Sequence, residues 1–207
     1  MARVTNYKGN PEELLEDKKS GLITHIFGRD RKRVMTRTEF KRLQRELITD
    51  VLFLEFSRYQ PDKYTETISE LDFCSHLLYN SNMPAKKKAK MLKRIEKKYG
   101  KDGKGVGFPD FRNFYYVLFG GADLERAMFF LDNEKNGVTK EEFGNIAKWV
   151  ANRGVSDYVI DIIFTLLDED GDAHLSIEEF KPVLFQWRHS RGFQKAALQI
   201  SLGHLEI

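Results

Sequence analysis

Asp168-Glu169-Asp170-Gly171-Asp172-Ala173-His174-Leu175-Ser176-Ile177-Glu178-Glu179 is the stretch that decides how this chain is read. Acids stand at its positions 1, 3, 5 and 12, between two segments with helical apolar spacing. Carboxylate oxygens at that spacing suit Ca²⁺, which takes about six to eight oxygens at roughly 2.3–2.6 Å. Asp168, Asp170 and Asp172 each offer one oxygen, and Glu179 offers two. His174 adds its backbone carbonyl, and Ser176 adds a side chain or a bridging water. This is the ligand pattern of an EF-hand calcium loop; the alternative is an acidic surface turn between helices. One position departs from it. Position 6 turns through a left-handed backbone conformation that favours Gly, and here it is Ala173. A Cβ in that conformation costs about 1–2 kcal/mol. Taken from binding, that is a loss of about tenfold or somewhat more, which places the loop at about micromolar affinity or weaker.

The loop is the last of five repeats. An apolar residue, usually a Ser or Thr, two further residues, an acid and a Phe recur at Met35–Phe40, Ile68–Phe73, Val106–Phe111, Val138–Phe143 and Leu175–Phe180. Such a period marks a repeated helix–loop–helix unit. The apolar residue is loop position 8, where paired hands form a short β contact. The Ser or Thr and the acid three residues later form a capping box for the exiting helix. The Phe opens that helix's apolar face.

Four of the five loops lack the ligands. The first, 28–39, holds Arg29, Arg31, Lys32, Arg33 and Arg37, which repel a cation. The second has Pro61 at position 1 and Lys63 at position 3; the third has Tyr99 and Lys101 there. The fourth contains Asp132, Glu134, Asn136 and Gly137 but is one residue short, so counting back from Glu142 puts Leu131 first. The segment 131–142 reads as a structural pseudo-hand whose Val138 pairs with Leu175. The second and third hands pair with each other. The first, without a mate here, hints at an upstream partner and a longer architecture.

The expected class is therefore all-α, an EF-hand array of degenerate hands with one intact C-terminal hand, 168–179. Helices are predicted over 12–27, 37–59, 70–80, 85–99, 109–119, 122–131, 140–152, 156–167, 177–190 and 193–203. Pro182 predicts a bend in the penultimate helix. Three regions follow: 1–60 with a degenerate hand and a long connecting helix, 61–119 with a degenerate pair, and 120–207 with the C-terminal lobe and helix.

Composition narrows the function. The chain of 207 residues is 41% hydrophobic and 31% charged, with net charge +3 and sixteen Phe. It has one cysteine, Cys74, so no intrachain disulfide can form. Its apolar neighbours suggest an ordinary buried thiol, with an intermolecular bridge as the alternative. No apolar run approaches the roughly 18 residues of a membrane span, and the N-terminus shows no targeting segment. The five His residues are scattered without catalytic or metal spacing, so no enzyme is expected.

Two surfaces bear on partners. Ile163, Phe164, Leu167, Phe180, Leu184 and Trp187 are either plain core or the groove that a sensor hand exposes. Lys86, Lys87, Lys88, Lys90, Lys93, Arg94, Lys97 and Lys98 crowd helix 85–99 around Ala85, Leu92, Ile95 and Tyr99. That helix is either a solvated face or a contact for an anionic membrane surface or acidic tail. No base-stacking motif accompanies it, so nucleic acid is not expected.

The segments HIFGRDRKRVMTRTEFKRLQRELITDVLFLEF (25–56), KKKAKMLKRIEKKYGKDGKGVGF (86–108), VSDYVIDIIFTLLDEDGDAHLSIEEF (155–180) and RHSRGF (188–193) resemble the mitochondrial calcium uptake (MICU) proteins. These are the EF-hand regulators of the mitochondrial calcium uniporter. Two intact hands separated by pseudo-hands typify that family. The resemblance implies that Asp168, Asp170, Asp172, the His174 carbonyl, Ser176 and Glu179 are the ligands of its second intact hand. Nothing matches its N-terminal domain, first intact hand or targeting segment, so a fragment or truncated form is expected. The resemblance further implies uniporter subunits and a paralogous EF-hand protein as partners, homo- or heterodimers, and the intermembrane space or inner membrane as location. Two other readings stay open: a cytosolic EF-hand calcium buffer, and an EF-hand adaptor or phosphatase-type regulatory subunit.

Overall fold

The computed structural model describes residues 24, 26–30, 32–79, 81, 83–135 and 137–189, without the side chains of 133–135 and 185–189. The helix expected over 193–203, most of that expected over 12–27, and the Trp187 side chain lie outside the described residues.

Among the described residues the order is α1 (Arg37–Ser57), β1 (Thr67–Ile68), α2 (Glu70–Tyr79), α3 (Ala85–Tyr99), β2 (Val106–Gly107), α4 (Phe108–Phe119), α5 (Gly121–Lys135), α6 (Lys140–Ala151), α7 (Asp157–Leu167) and α8 (Ile177–His189). The all-α EF-hand expectation holds. Each predicted helix in this range is present, most with ends within a residue or two of the expected ones. Helix α8 runs unbroken through Pro182. The largest departure is α5, expected to stop at Leu131 and observed to Lys135. The fourth hand lacks the ligand set that would wrap an ion, so Asp132-Asn133-Glu134-Lys135 stays in the helix. The extended pseudo-loop expected over 131–142 shrinks to a short connection. None of these helices is long and apolar enough to cross a membrane.

The chain divides into two compact units, 1–45 and 46–207. In the first, the degenerate loop keeps its cap. Glu39 Oε2 accepts from Thr36 N at 2.9 Å, and Glu39 N donates to Thr36 Oγ1 at 3.2 Å. Its other oxygen meets Arg33 Nη2 at 2.6 Å. The Thr36 bonds first, and Arg33 next, lower the Glu39 carboxyl to about 2. The acid at position 12 thus binds an arginine where an intact hand would bind a metal ion. Phe40 is 44% exposed, so the first repeat does not share the burial expected for its Phe.

The second unit contains two helix–loop–helix pairs. Strands β1 and β2 join antiparallel, with Ile68 opposite Val106 and Thr67 opposite Gly107. Val138 and Leu175 exchange both backbone bonds, Val138 N to Leu175 O at 3.0 Å and Leu175 N to Val138 O at 2.9 Å. Both pairings are the ones predicted from loop position 8. The repeat residues Phe73, Phe111, Phe143 and Phe180 have 0% exposure. Phe73 meets Phe111 and Phe114 edge-on, with ring centroids 6.0 and 5.6 Å apart. Phe143 meets Phe164 and Phe180 at 6.1 and 5.6 Å. Edge-on geometry between rings adds about 0.5–1.5 kcal/mol per pair beyond area burial. Cys74 is fully buried in the same core, and burial pushes its thiol well above the usual range. It is the ordinary buried thiol.

Candidate metal centre

The loop 168–179 lies between α7 and α8. Ser156 caps α7, accepting from Val159 N at 3.3 Å. Helix α7 then carries Val159, Ile160, Ile162, Ile163, Phe164, Leu166 and Leu167 into the core. Asp168 is its C-cap. Ser176 and Glu179 close the far end as a capping box. Ser176 N and Oγ donate to Glu179 Oε2 at 3.0 and 2.8 Å, and Glu179 N donates to Ser176 Oγ at 3.3 Å.

Within the loop, backbone N–H groups aim the carboxylates. Asp168 Oδ1 accepts from Gly171 N at 2.7 Å and its Oδ2 from Ala173 N at 3.1 Å. Asp170 Oδ1 accepts from Asp172 N at 3.1 Å, and Asp172 Oδ1 from His174 N at 2.7 Å. Glu179 Oε1 reaches back to Glu169 N at 2.8 Å, tying the two ends of the loop together. Gly171 and Ala173 have φ of +80° and +65°. Ala173 thus adopts the left-handed turn at the cost foreseen for a Cβ.

One oxygen each from Asp168, Asp170 and Asp172 lie within 4.8 Å of one another. Oxygens on a sphere of about 2.3–2.6 Å radius are separated by at most about 4.6–5.2 Å. The hard oxygen donors and their spacing therefore fit Ca²⁺. All the predicted site residues sit on this one loop. The six proposed groove residues fare differently. Ile163, Phe164, Leu167, Phe180 and Leu184 are buried in the core, and the Trp187 side chain is not among those described.

Three contacts around the loop do not show in the motif. Asp132, from the pseudo-hand, accepts from Ile177 N at 3.3 Å. Lys87 Nζ meets Glu169 at 3.0 Å. Arg94 donates through Nη1 to the Asp168 carbonyl and through Nη2 to the Leu166 carbonyl at 2.6 Å. The only signal for Arg94 was that it is the one arginine on a lysine-rich helix, and a guanidinium can serve two acceptors where an ammonium is a point charge.

The basic helix α3 is therefore more than a solvated face. Lys98 Nζ meets Asp161 Oδ2 at 2.6 Å and Thr165 Oγ1 at 2.9 Å. Tyr99 donates to the same Asp161 oxygen at 2.5 Å, and Lys140 from α6 meets its Oδ1 at 2.5 Å. Burial works to raise the Asp161 carboxyl. The bonds from Lys140, Lys98 and Tyr99 outweigh it and hold the group well below the usual carboxylate range.

A family model described as an EF-hand domain pair matches residues 134–186. Calcium uptake protein 1, mitochondrial, of Rattus norvegicus is 38% identical over 176 residues, which cover 85% of this chain and 36% of that protein. A crystal structure of EFHA2 in the apo state superposes with a TM-score of 0.70 at 26% identity, covering 80% of this chain and 52% of that one. EFHA2 in the Ca-binding state gives 0.68 at 27% identity, covering 77% and 51%. The chain spans about a third of the length of the curated relatives it matches. Its array of hands and its paired loops are those of an EF-hand protein, and over most of its length the chain is similar to the mitochondrial calcium uptake proteins.

Proposed function

We propose that this chain is a calcium sensor within a regulator of mitochondrial calcium uptake, with one working site in the region described. The observation that carries the proposal is the intact loop. Asp168, Asp170, Asp172, the His174 carbonyl, Ser176 and Glu179 form its ligand set, with acid oxygens spaced for Ca²⁺. Calcium, when bound, supplies the positive charge that these carboxylates share. Before that, the chain's own N–H groups hold Asp168, Asp170 and Asp172 inward, while Glu179 sits on Glu169 N and Ser176 N. As a ligand, Glu179 would give up those two N–H bonds to offer both carboxylate oxygens to the ion. Because Glu179 lies in the first turn of α8, that exchange would bear on the angle of the exiting helix. Sensor hands open this way and uncover apolar side chains, and the buried Ile163, Phe164, Phe180 and Leu184 are the ones available here.

The setting fits the relatives, whose name is calcium uptake protein 1, mitochondrial. The role is regulatory binding, not catalysis. The location is the intermembrane space or inner membrane, and the partners are uniporter subunits and a paralogous EF-hand protein. Lys86, Lys90, Lys93 and Lys97 stand exposed at spacings that put them on one stripe of α3, a face suited to an anionic membrane surface.

An apolar-dye titration with and without calcium tests the sensor reading. Dye fluorescence should rise on calcium addition and fall with chelator. No change, with the ion retained in dialysis, would identify a buffer, because buffer hands barely open. Partner capture insensitive to chelator would identify an adaptor.

A further inference from the structure

We infer that Arg94 is a positioning residue that locks the entering helix of the calcium hand to the preceding helical pair, so that calcium-driven movement falls on the exiting helix alone. The inference rests on the calcium reading only in its second half.

The entering helix α7 is bound along its whole length to the pair 61–119. At its start Tyr158 donates to the buried Glu70 of α2 and accepts from Lys104 N at 2.9 Å. At its middle Asp161 and Thr165 take bonds from Lys98 and Tyr99 of α3. At its end Arg94 bridges the carbonyls of Leu166 and Asp168. The last carbonyls of a helix have no intrahelical donor and carry its negative dipole end, so a cation there both satisfies and neutralises them. The Arg94 Nε is buried with no hydrogen-bond partner among the described residues. A side chain that gives up one donor to burial while placing two others is held in a fixed pose. The carbonyl it grips at Asp168 belongs to the first ligand of the loop.

The exiting helix α8 is tied differently. Its described polar link to another element is the bond from Ile177 N to Asp132, at 3.3 Å. Beyond that bond and the Val138–Leu175 bridge just before the helix, its described side chains, which run to Leu184, hold it by the apolar packing of Phe180, Val183 and Leu184. Apolar packing is non-directional and can slide, whereas a fork on two carbonyls cannot be shifted without breaking it. Of the two helices flanking the loop, α8 is the one free to turn. An arginine is required for the lock because lysine cannot span both carbonyls with a planar fork.

Hydrogen exchange of the chelated protein tests the lock without any ion. Arg94→Ala should speed amide exchange over 164–170 about tenfold while leaving 177–184 within twofold of native. Arg94→Lys should fall between them. Glu96→Gln, an exposed neighbour on α3, should leave both segments unchanged. Unchanged exchange over 164–170 in both Arg94 variants overturns the lock, as does equal acceleration of both segments, which is what general destabilisation would give.

The direction of movement is read by spin-label distances. Labels at Glu96→Cys with Lys181→Cys should shift with calcium, and labels at Glu96→Cys with Asp157→Cys should not. A shift of the second pair equal to the first overturns the second half. Absence of retained calcium in parallel dialysis also overturns it, and separately sinks the functional reading, while the exchange result still judges the lock.

Discussion

The two helix–loop–helix pairs of the second unit share a plan and differ in what holds their loops. Each has a short antiparallel contact at loop position 8, Ile68 with Val106 and Val138 with Leu175. In each, a Ser or Thr and an acid cap an exiting helix: Ser69 with Asp72, Thr139 with Glu142, and Ser176 with Glu179. The loop 168–179 turns its carboxylates toward one another. In the pair 61–119, side chains do the gathering. Asp62 Oδ1 accepts from Tyr64 N at 2.8 Å and Thr65 N at 2.9 Å, folding the second loop on itself. The third loop is drawn in by Glu70, whose Oε1 accepts from Gly105 N at 2.7 Å and from the Tyr158 hydroxyl. Gly105 has φ of +73°, and a Cβ there would lie 2.3 Å from Thr67 Oγ1, so only glycine fits. The Tyr158 hydroxyl is pushed up to about 12, by burial first and by the Glu70 bond next. A hand that loses its ion can therefore keep its shape by supplying a fixed internal anion and donors, and it then serves as a frame.

The sharpest way to break this contrast is at the acid closing each loop. Glu179→Gln removes a charged bidentate ligand, and calorimetric titration should show calcium affinity reduced about 100-fold, or ~2.7 kcal/mol. The matched changes Glu142→Gln and Asp110→Asn should leave calcium retention within about twofold, since their hands have no ligand set to complete. Equal losses at Glu142 and Glu179 would mean that the pseudo-hand shares in binding.

The converse change is in the frame. Glu70→Leu strips the acceptor from Gly105 N and the Tyr158 hydroxyl; each bond to a charged group is worth about 1.5–3 kcal/mol, and burying the apolar Leu offsets about one of the two, leaving a net loss of about 1.5–3 kcal/mol. For a domain of this size that lowers the melting temperature by roughly 3–12 °C. Glu70→Gln, which keeps an acceptor oxygen, should recover most of the loss. A melting curve unmoved by Glu70→Leu would show that apolar packing alone shapes the third loop.

This contrast was only half legible in the sequence. The helices could be read because their apolar faces repeat every three to four residues, and the loop 168–179 because its ligands are near neighbours along the chain. The strand contacts followed from the same register. The polar frame did not show, because its partners are far apart: Glu70 and Tyr158 are 88 residues apart, and Arg94 and Asp168 are 74. A lysine-rich helix looks solvated from composition alone, and nothing local marks which cation turns inward. Helix α5 overran its expected end for a related reason. The sequence 132–137 carries the residue types of a calcium loop, yet one missing residue puts its acids out of register, and the helix continues.

The smallest expected effect lies within the working loop. Ala173 holds φ at +65°, a conformation costing an L side chain about 1–2 kcal/mol. Ala173→Gly removes that cost wherever the turn is adopted. If the turn forms only around the ion, the gain appears as affinity; if the free loop already holds it, the gain appears as stability. The free energy of unfolding the calcium-saturated protein contains both steps, so it should rise however they divide. Glycine's greater freedom in the unfolded chain takes back about 0.5–1 kcal/mol, leaving a net gain centred on about 0.75 kcal/mol. At about 2–4 °C per kcal/mol, the calcium-saturated melting temperature should rise by roughly 1–4 °C. A calorimetric titration of the same variant then apportions the gain: tighter binding with an unchanged calcium-free melt locates the strain in the bound loop. A lower calcium-saturated melt would mean that the Ala173 methyl makes a packing contact worth more than the strain it causes.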